Sequence, residues 1–364
     1  ISLFCYYFLQ ITFTFRKIKG KYLKPTITAL MTTYNAEAWV DETIDSVLNQ
    51  TYSNFEFLII DDGSSDGTVE RVKRYSDKRI KLIENQENMG VGVCLDAALD
   101  FIDTQYIVKV DADDISESTR FEKQLSFLQS NELDIVKSFV TYFPDNENVQ
   151  ASERYKQFVT EKQVLLNQIN TPDDISVTLS RWLCFLHTSY FARTDAIKKV
   201  RYPHTRLYED YILFLRLKNA GYKFGCVNEP LVHIRLSDSS ATTSLGIAEL
   251  EKGLSGIIEE KWPDFASLVG EKDVYIYGTG NMAKACARCL SAFNVELKSF
   301  VDRMGREQTI STGGNDVGIL GIKDYLSLDT KRIIIVAAQP VRSEITQKLE
   351  SLSMTEFRDF LVLA

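Results

Sequence analysis

Residues 55–68 read FEFLIIDDGSSDGT, an uninterrupted apolar run that ends in two aspartates and a turn rich in glycine and serine. Such a run, bounded by turn residues, is typical of a strand that is buried on both faces of a sheet. Asp66 is placed to cap a helix from Thr68 to Tyr75. The stretch therefore predicts a strand, a polar loop and a helix, in that order.

The same order of elements recurs on both sides of this stretch. Buried strands are predicted at residues 26–31 (TITALM), 79–83 and 105–110 (QYIVKV), and helices at 36–50 and 91–101. Strands that alternate with helices at this spacing predict βαβ units and a mainly parallel sheet. The expected fold class is therefore α/β, with ligands bound at the carboxyl ends of the strands.

Two carboxylates follow the fourth predicted strand. Asp111 and Asp113 project the same way in extended backbone, and carboxylates aimed at one point repel each other unless a cation lies between them. Mg²⁺ and Mn²⁺ prefer such oxygen ligands and also hold phosphates. Taken alone, the pattern is equally consistent with a solvated acidic turn in which Asp114 caps a helix.

The net charge of the chain limits the classes of molecule that it is expected to bind. The 364 residues include 42 Lys and Arg against 50 Asp and Glu, a net charge of −8. Proteins that hold nucleic acid through its backbone usually carry a basic surplus, so nucleic acid is not an expected partner. Six scattered cysteines fit a reducing cytoplasm better than a secreted disulfide scaffold.

Five segments, in order and spacing, resemble family 2 glycosyltransferases of the GT-A fold, and the resemblance covers residues 25 to about 240. The matching segments are TTYN at 32–35, SVLNQTY at 46–52, DDGSSDGT at 61–68, Asn88-x-Gly90 and DADD at 111–114. The resemblance implies a metal-dependent transferase that takes a sugar from a nucleotide diphosphate, with a UDP-sugar favoured. It also implies a glycan or lipid-linked saccharide acceptor and a place in cell-surface glycan biosynthesis.

The resemblance assigns roles to single residues. Thr32 and Tyr34 would line the base pocket, and Asp62 would accept a hydrogen bond from the base. Asp111 would lie near the ribose and the metal, and Asp113 would bind the Mn²⁺ or Mg²⁺ that holds the diphosphate. The nucleotide-sugar site implied in this way comprises Thr32, Tyr34, Asn35, Asp61, Asp62, Asp111 and Arg235.

A second acidic pair, Glu209 and Asp210, precedes an apolar run that predicts an amphipathic helix. By the resemblance, Asp210 is the general base that takes the proton of the acceptor hydroxyl, and Glu209 orients the acceptor. Most family members with this base invert the anomeric centre, so inversion is expected. The residues alone leave open that both are helix N-terminal charges favoured by the dipole.

Three other parts of the sequence have roles that the resemblance does not fix. Arg235 matches an arginine of the family pattern, and it either binds the diphosphate or forms a surface salt bridge. The segment Cys94-Leu95-Asp96 stands where many members carry Ala-Arg-Asn, so one donor contact is missing. Residues 145–174 are polar and irregular, in a region that shapes the acceptor pocket in this fold.

The end of the chain carries a separate α/β pattern. A strand at 274–277 runs into GTGNMA at 278–283 and a helix, with the spacing of a dinucleotide fingerprint. About 95 residues are half of a full dinucleotide-binding fold, so a small Rossmann-like domain is expected. NAD(P) binding stays open there but is not favoured over a packing role. The candidate second nucleotide site comprises Gly278, Gly280, Ala283 and Asp302.

These patterns divide the chain into an N-terminal segment (1–24), a GT-A domain (25–245), a helical linker (246–269) and a Rossmann-like domain (270–364). The first segment is apolar for 15 residues and then basic, which is short of the ~20 residues of a membrane-spanning helix. An extension and a membrane-associated segment at the inner face of the cell membrane both fit it.

Two other functions stay as alternatives. An NAD(P)-dependent sugar-nucleotide oxidoreductase would need a catalytic constellation after the glycine-rich turn, and none follows in the sequence. A non-catalytic nucleotide-sugar-binding protein would not need the intact set of Asp62, Asp111, Asp113 and Asp210.

Overall fold

The structure, a computed structural model, describes residues 24–238, 246–312, 315–337 and 342–363. The predicted apolar and basic N-terminal segment, apart from Lys24, lies outside the described residues. Within the described ranges, every helix is too short or too polar to cross a bilayer.

The first domain is built on a sheet of eight strands. In order along the chain they are β1 Ile27–Thr33, β2 Phe55–Asp61, β3 Ile80–Glu84, β4 Tyr106–Asp111, β5 Ile115–Ser116, β6 Ile135–Pro144, β7 Phe191–Arg193 and β8 Phe224–Leu236. Their order across the sheet is β3-β2-β1-β4-β7-β6-β8-β5. Strands β1 to β4 run parallel, as predicted, whereas β5 and β7 run antiparallel to their neighbours, which makes the sheet mixed.

The register of the parallel strands brings the motifs together. Thr32 of β1 lies opposite Ile60 of β2 on one side and Asp111 of β4 on the other. Thr33 lies opposite Asp61. The turns that follow β1, β2 and β4 therefore leave the sheet side by side at its carboxyl edge.

The helices of this domain depart from the prediction in two places. The first helix begins at Val40 rather than at residue 36, because residues 37–39 form a turn. The region 145–174, which carries no periodic signal, is largely helical, with a π-helical turn at Phe158–Lys162. The helices are α1 Val40–Leu48, α2 Thr68–Lys73, α3 Val91–Ala98, α4 Arg120–Ser130, α5 Glu147–Ala151, α6 Glu153–Gln157, α7 Gln163–Gln168, α8 Pro172–Arg181, α9 Thr194–Val200 and α10 Glu209–Asn219.

Helix α10 is buried on nearly all sides, so the predicted amphipathic pattern is wrong. Residues 211–215 and Leu217 are all buried. The reason is that a long helix before the second domain, α11 Ile247–Val269, packs against α10, and Gly256 of α11 lies against the Ile212 side chain. A helix covered in this way needs no polar face.

The second domain has a sheet of six strands in the order β11-β12-β10-β9-β13-β14. All neighbouring pairs are parallel except β11 with β12. The predicted unit of a strand, the glycine-rich turn and a helix is present as β9 and α12. Its elements are β9 Asp273–Tyr277, α12 Asn281–Ala292, β10 Leu297–Asp302, β11 Arg306–Thr312, β12 Asn315–Gly321, α13 Ile322–Ser327, β13 Arg332–Val336, α14 Arg342–Ser351 and β14 Phe360–Val362.

The two domains share one hydrophobic core that runs from β1 through α11 into β9. Lys261 of α11 is buried at this junction. Its ammonium group donates to the carbonyl oxygens of Arg181, at the end of α8, and of Leu363, after β14, at 3.1 and 2.6 Å. This buried cation therefore ties the end of the chain to the first domain.

Candidate active site

The turns after β1 and β2 bond to each other and form one wall of the site. Asn35 adopts a left-handed conformation, with φ of 50°, and its side-chain oxygen accepts from the Ser65 backbone N–H at 2.8 Å. Asp61 accepts from the Ser64 backbone N–H at 2.9 Å. Next to this wall the Tyr34 ring is 50% exposed. The Tyr34 ring therefore offers a solvent-exposed aromatic face beside this wall.

Asp62 is buried and holds a neighbouring loop. Its carboxylate accepts from the backbone N–H groups of Met89 and Gly90, both at 2.8 Å, and from the Asn85 side-chain amide at 3.0 Å. These bonds fix the segment 85–90 beside the strand ends. A bond from Asp62 to a nucleotide base stays a prediction.

Asp111 is paired with a lysine buried in its own strand. The Lys109 side chain is fully buried, and its Nζ lies 2.5 Å from Asp111 Oδ1. Burial alone would raise the pKa of Asp111, but the Lys109 charge brings that pKa below its ordinary value. Behind this pair the buried Arg120 guanidinium donates to the carbonyl oxygens of Lys109 and Thr188. Two buried cations thus stand behind the acidic turn.

Among the residues that the structure describes, no lysine or arginine side chain pairs directly with Asp113 or Asp114. Burial, followed by repulsion from Asp111, raises the pKa of Asp113 to about 6. Burial and the charge of Asp113 raise the pKa of Asp114 well above its ordinary value. Asp114 is also used structurally, because its Oδ1 accepts from the Arg235 backbone N–H at 3.0 Å. A bound cation would therefore offset the cost of charge burial and the repulsion from Asp111 most directly at Asp113.

The donor set fits a metal that shares its ligands with a substrate. Among the described residues there is no group of three or more His, Cys, Asp or Glu side chains able to enclose an ion. The protein offers Asp113 and the second oxygen of Asp111, since the first is paired with Lys109. Mg²⁺-type ions are commonly held in this way, by one or two carboxylates together with substrate phosphates and water.

Arg235 lies at the same turn but is already paired. Its guanidinium lies 2.5 Å from Glu42 Oε2 and 3.5 Å from Asp145 Oδ1, and its Nε donates to the Asp113 carbonyl oxygen. It also stacks over the Phe143 ring. The predicted contact between Arg235 and a diphosphate stays a prediction, and it would require the guanidinium to exchange one of these partners.

The Glu209–Asp210 pair follows a strained residue at the start of α10. Tyr208 has φ of 61° and ψ of 18°, a left-handed conformation that is rare for an aromatic residue and that clusters at functional sites. Asp210 Oδ1 accepts from the Tyr211 backbone N–H at 2.7 Å, which fixes the carboxylate. Burial, with the charge of Asp111, raises the pKa of Asp210 to about 6. Asp210 is therefore more basic than an ordinary aspartate and lies within the field of Asp111.

Glu209 lies further inside, next to a neutral histidine. His187 Nδ1 is 3.8 Å from Glu209 Oε1, and His187 Nε2 shares a hydrogen bond with the Tyr202 hydroxyl at 3.0 Å. Burial and the Lys109 charge lower the pKa of His187 to about 3. Burial, followed by the charge of Asp210, raises the pKa of Glu209 well above its ordinary value.

Three of these buried groups were missed by the sequence analysis: Lys109, Arg120 and His187. Lys109 could have been found, because it is the one charge within the apolar strand run QYIVKV. Arg120 and His187 carry no such local signal, since each reaches the site from a separate element.

The predicted second nucleotide site lies in the second domain. Gly278 follows β9 with φ of 115°, and Gly280 directly precedes α12. Asp302 ends the neighbouring strand β10, and its Oδ1 accepts from the backbone N–H groups of Met304 and Gly305. Ala283 is fully buried. The strand ends are thus adjacent as expected, and nucleotide binding there stays a prediction.

Comparison with known proteins identifies the family. Residues 28–209, half of the chain, match the model of glycosyl transferase family 2. The chain belongs to this family. The match ends at Glu209, so helix α11 and the second domain lie beyond the matched region.

Two curated relatives and one solved structure illustrate the similarity. An uncharacterized glycosyltransferase of Methanocaldococcus jannaschii is 30% identical over 223 residues, which are 60% of this chain and 73% of that one. An Escherichia coli enzyme named UDP-Glc:alpha-D-GlcNAc-diphosphoundecaprenol beta-1,3-glucosyltransferase is 33% identical over 143 residues, 39% of this chain and 54% of that one. A crystal structure of Staphylococcus aureus TarS with UDP aligns with a TM-score of 0.49 at 17% identity, covering 73% of this chain and 70% of that one.

Helix α11 supports the loop that carries the candidate base. A Cβ added at Gly253 would lie 2.7 Å from the Leu207 carbonyl oxygen and 2.8 Å from the Tyr208 ring. The backbone of the family 2 site is therefore held by a contact that only glycine permits, and this contact comes from outside the matched region.

Gly253→Ala is expected to displace the 207–208 backbone and with it Asp210. Misplacement of a reacting group by about 1 Å can cost about 100-fold in rate, so we expect the turnover number to fall at least tenfold. The KM for the nucleotide sugar should stay within about twofold, since the nucleotide wall is untouched. Steady-state kinetics of nucleoside diphosphate release measures both.

The matched control is Gly318→Ala, because the nearest atom to its added Cβ is 3.9 Å away. Alanine in a helix is intrinsically favoured over glycine by about 1 kcal/mol, so the Gly253 variant is not expected to lose activity through general unfolding of α11. A Gly253→Ala enzyme with the wild-type turnover number would contradict this support.

Proposed function

We propose that this family 2 enzyme transfers a sugar from a UDP-sugar to a hydroxyl group of a glycan or lipid-linked saccharide, with inversion, in cell-surface glycan biosynthesis. The proposal rests on the combination of three features: the exposed Tyr34 ring, the Asp111–Asp113 pair, and Asp210 with its raised pKa. The E. coli relative, whose name gives UDP-Glc as donor and a diphosphoundecaprenol-linked acceptor, supports the class of both substrates.

The nucleoside is assigned to the wall formed by the turns after β1 and β2. The Tyr34 ring offers a face on which a base can stack, because half of its surface is exposed. The bonds between Asn35 and Ser65, and between Asp61 and Ser64, hold this wall before the donor arrives. A preformed wall loses less conformational entropy on binding.

The diphosphate is assigned to the acidic turn after β4. Asp113 and the second oxygen of Asp111 would hold Mn²⁺ or Mg²⁺ there. When bound, such an ion neutralises the charge that develops on the leaving nucleoside diphosphate. Lys109 keeps Asp111 ionised and its carboxylate fixed, since the two groups lie 2.5 Å apart within the buried end of the strand.

The acceptor is assigned to the Asp210 side of the cleft. As the acceptor oxygen bonds to the anomeric carbon, Asp210 takes its proton, and the electron pair of the broken bond leaves on the diphosphate. The base and the leaving group act on opposite faces of the sugar, so this single displacement inverts the centre. Glu209, directly before the base, is proposed to orient the acceptor.

A nucleotide screen tests the donor and the metal together. UDP-, GDP- and dTDP-sugars are added with Mn²⁺ or with EDTA, and the unfolding temperature is measured. We expect a UDP-sugar to raise it, and only with Mn²⁺; ligand at 100 times its Kd stabilises by about 2.7 kcal/mol. Asp113→Ala should lose the Mn²⁺-dependent part of the shift.

Asp103→Ala is the control for this screen, because Asp103 is an exposed aspartate just before β4. It should keep the full shift. A shift of the same size in EDTA, or an Asp113→Ala protein that responds as the wild type does, would refute the metal site. The absence of a shift with every nucleotide sugar would refute the donor site.

Asp210→Asn should remove the base while it keeps the shape of the side chain. General-base catalysis contributes about 10² to 10⁴ in rate, so we expect turnover to fall at least 100-fold. UDP binding, measured by calorimetry with Mn²⁺, should be nearly unchanged. Asp173→Asn is the control, since Asp173 lies in the first turn of the exposed end of α8. Normal turnover of the Asp210→Asn enzyme would exclude Asp210 as the base.

A further inference from the structure

Two cations share one aromatic ring in the region that the sequence left undefined. The Lys162 ammonium lies 4.3 Å from the centroid of the Phe158 ring, and the Arg154 guanidinium lies 5.4 Å from the same centroid. The Phe158 ring and both cations belong to the segment around the π-helical turn Phe158–Lys162. Turns of this kind are frequent at functional sites.

A third cation comes from the second domain. Arg342 is the first residue of α14, and its guanidinium lies 4.8 Å from the centroid of the Trp182 ring, just after α8. The charges of Arg342 and Asp210 both act on Lys162 and on Tyr208. The three cations, here called the acceptor-side cluster, therefore lie within electrostatic reach of one another and of the loop that carries the candidate base.

The carboxylates nearest the acceptor-side cluster act on it from a distance: the charge of Asp210 acts on Lys162, and that of Glu356 acts on Arg342. Among the described residues, neither Lys162 nor Arg342 forms an ion pair with a carboxylate, and the Arg154 guanidinium donates to the Ser237 carbonyl oxygen. Nearby cations are paired: Arg181 with Glu356 at 2.5 Å. The charges of Arg154 and Arg342 both lower the pKa of Lys162, so the three cations repel one another and favour an anion between them.

The cluster is open to solvent. Lys162 and Arg154 are exposed, and Arg342 is half-buried. Aromatic rings hold the cations in place without neutralising them.

We propose that Arg154, Lys162 and Arg342 bind a phosphate group of the acceptor while the acceptor hydroxyl lies at Asp210. The inference rests on the proposed function, because it is Asp210 that marks the acceptor side. Arginine and lysine are the side chains that recognise phosphate, and a cluster of three suits a diphosphate. On this account the second domain completes the acceptor site through Arg342.

The test uses farnesyl diphosphate as the lipid-linked probe and inorganic pyrophosphate as the free anion. Calorimetric titrations are made in EDTA, so that neither probe can bind through a metal at Asp113. We expect wild-type protein to bind farnesyl diphosphate, and Arg342→Gln and Lys162→Gln each to weaken it at least fivefold. Lys348→Gln, an exposed position on the same helix α14, should have no effect.

The two variants separate a binding role from a packing role. Arg342→Gln also removes a contact between the domains, whereas Lys162→Gln does not, so loss of binding in both supports the cluster. Equal binding by wild type and both variants would overturn the proposal, as would an equal loss in Lys348→Gln. Tighter binding of farnesyl diphosphate than of pyrophosphate identifies a lipid-linked phosphate, and equal binding identifies the phosphate alone.

A separate titration with UDP and Mn²⁺ keeps the two proposals apart. If UDP binds and neither phosphate probe does, the acceptor-side cluster is refuted and the donor site stands. If farnesyl diphosphate binds through Arg342 and Lys162 while no nucleotide binds, the cluster holds an anion and the proposed donor site is refuted. Glucuronic acid that binds the cluster more tightly than pyrophosphate does would overturn the choice of phosphate.

Discussion

The ion pair between the buried Lys109 and the partly exposed Asp111 is the interaction on which the rest of the site depends. A strand that ends in three aspartates concentrates negative charge where burial makes charge costly. Lys109 compensates Asp111 directly, at 2.5 Å, and Arg120 stands behind both. Within the described part of the chain no cation pairs directly with Asp113, and although the Arg235 charge acts on it, burial and Asp111 raise its pKa to about 6. The protein thus satisfies Asp111 with its own cation, and we propose that Asp113 is satisfied by a cation that arrives with the substrate.

The catalytic side depends on a second constraint, which lies outside the region that defines the family. Tyr208 is held in a left-handed conformation, and the close contact of Gly253 with the Leu207 carbonyl keeps that backbone in place. Lys261, on the same helix α11, ties the end of the chain to the end of α8. The second domain is therefore joined to the loop that carries Asp210, and the charge of its Arg342 acts on Tyr208 in that loop.

The sequence predicts the elements whose signal is local. The strands β1, β2 and β4 are apolar runs followed by polar turns, and these turns hold most of the candidate site. The helices between 147 and 168 escaped prediction because they are short and polar and depend on packing against β6. The burial of α10 was missed because its cover, α11, lies some 40 residues further along. For the same reason, nothing near Arg342 in the sequence indicates its place beside Trp182.

Anomalous diffraction from crystals grown with UDP and Mn²⁺ tests the central claim most directly. We expect one strong manganese peak within coordinating distance of the Asp113 carboxylate, between that carboxylate and the diphosphate. The uracil ring should lie against Tyr34. UDP bound at this edge without a peak at Asp113, or a peak held by other side chains, would contradict it.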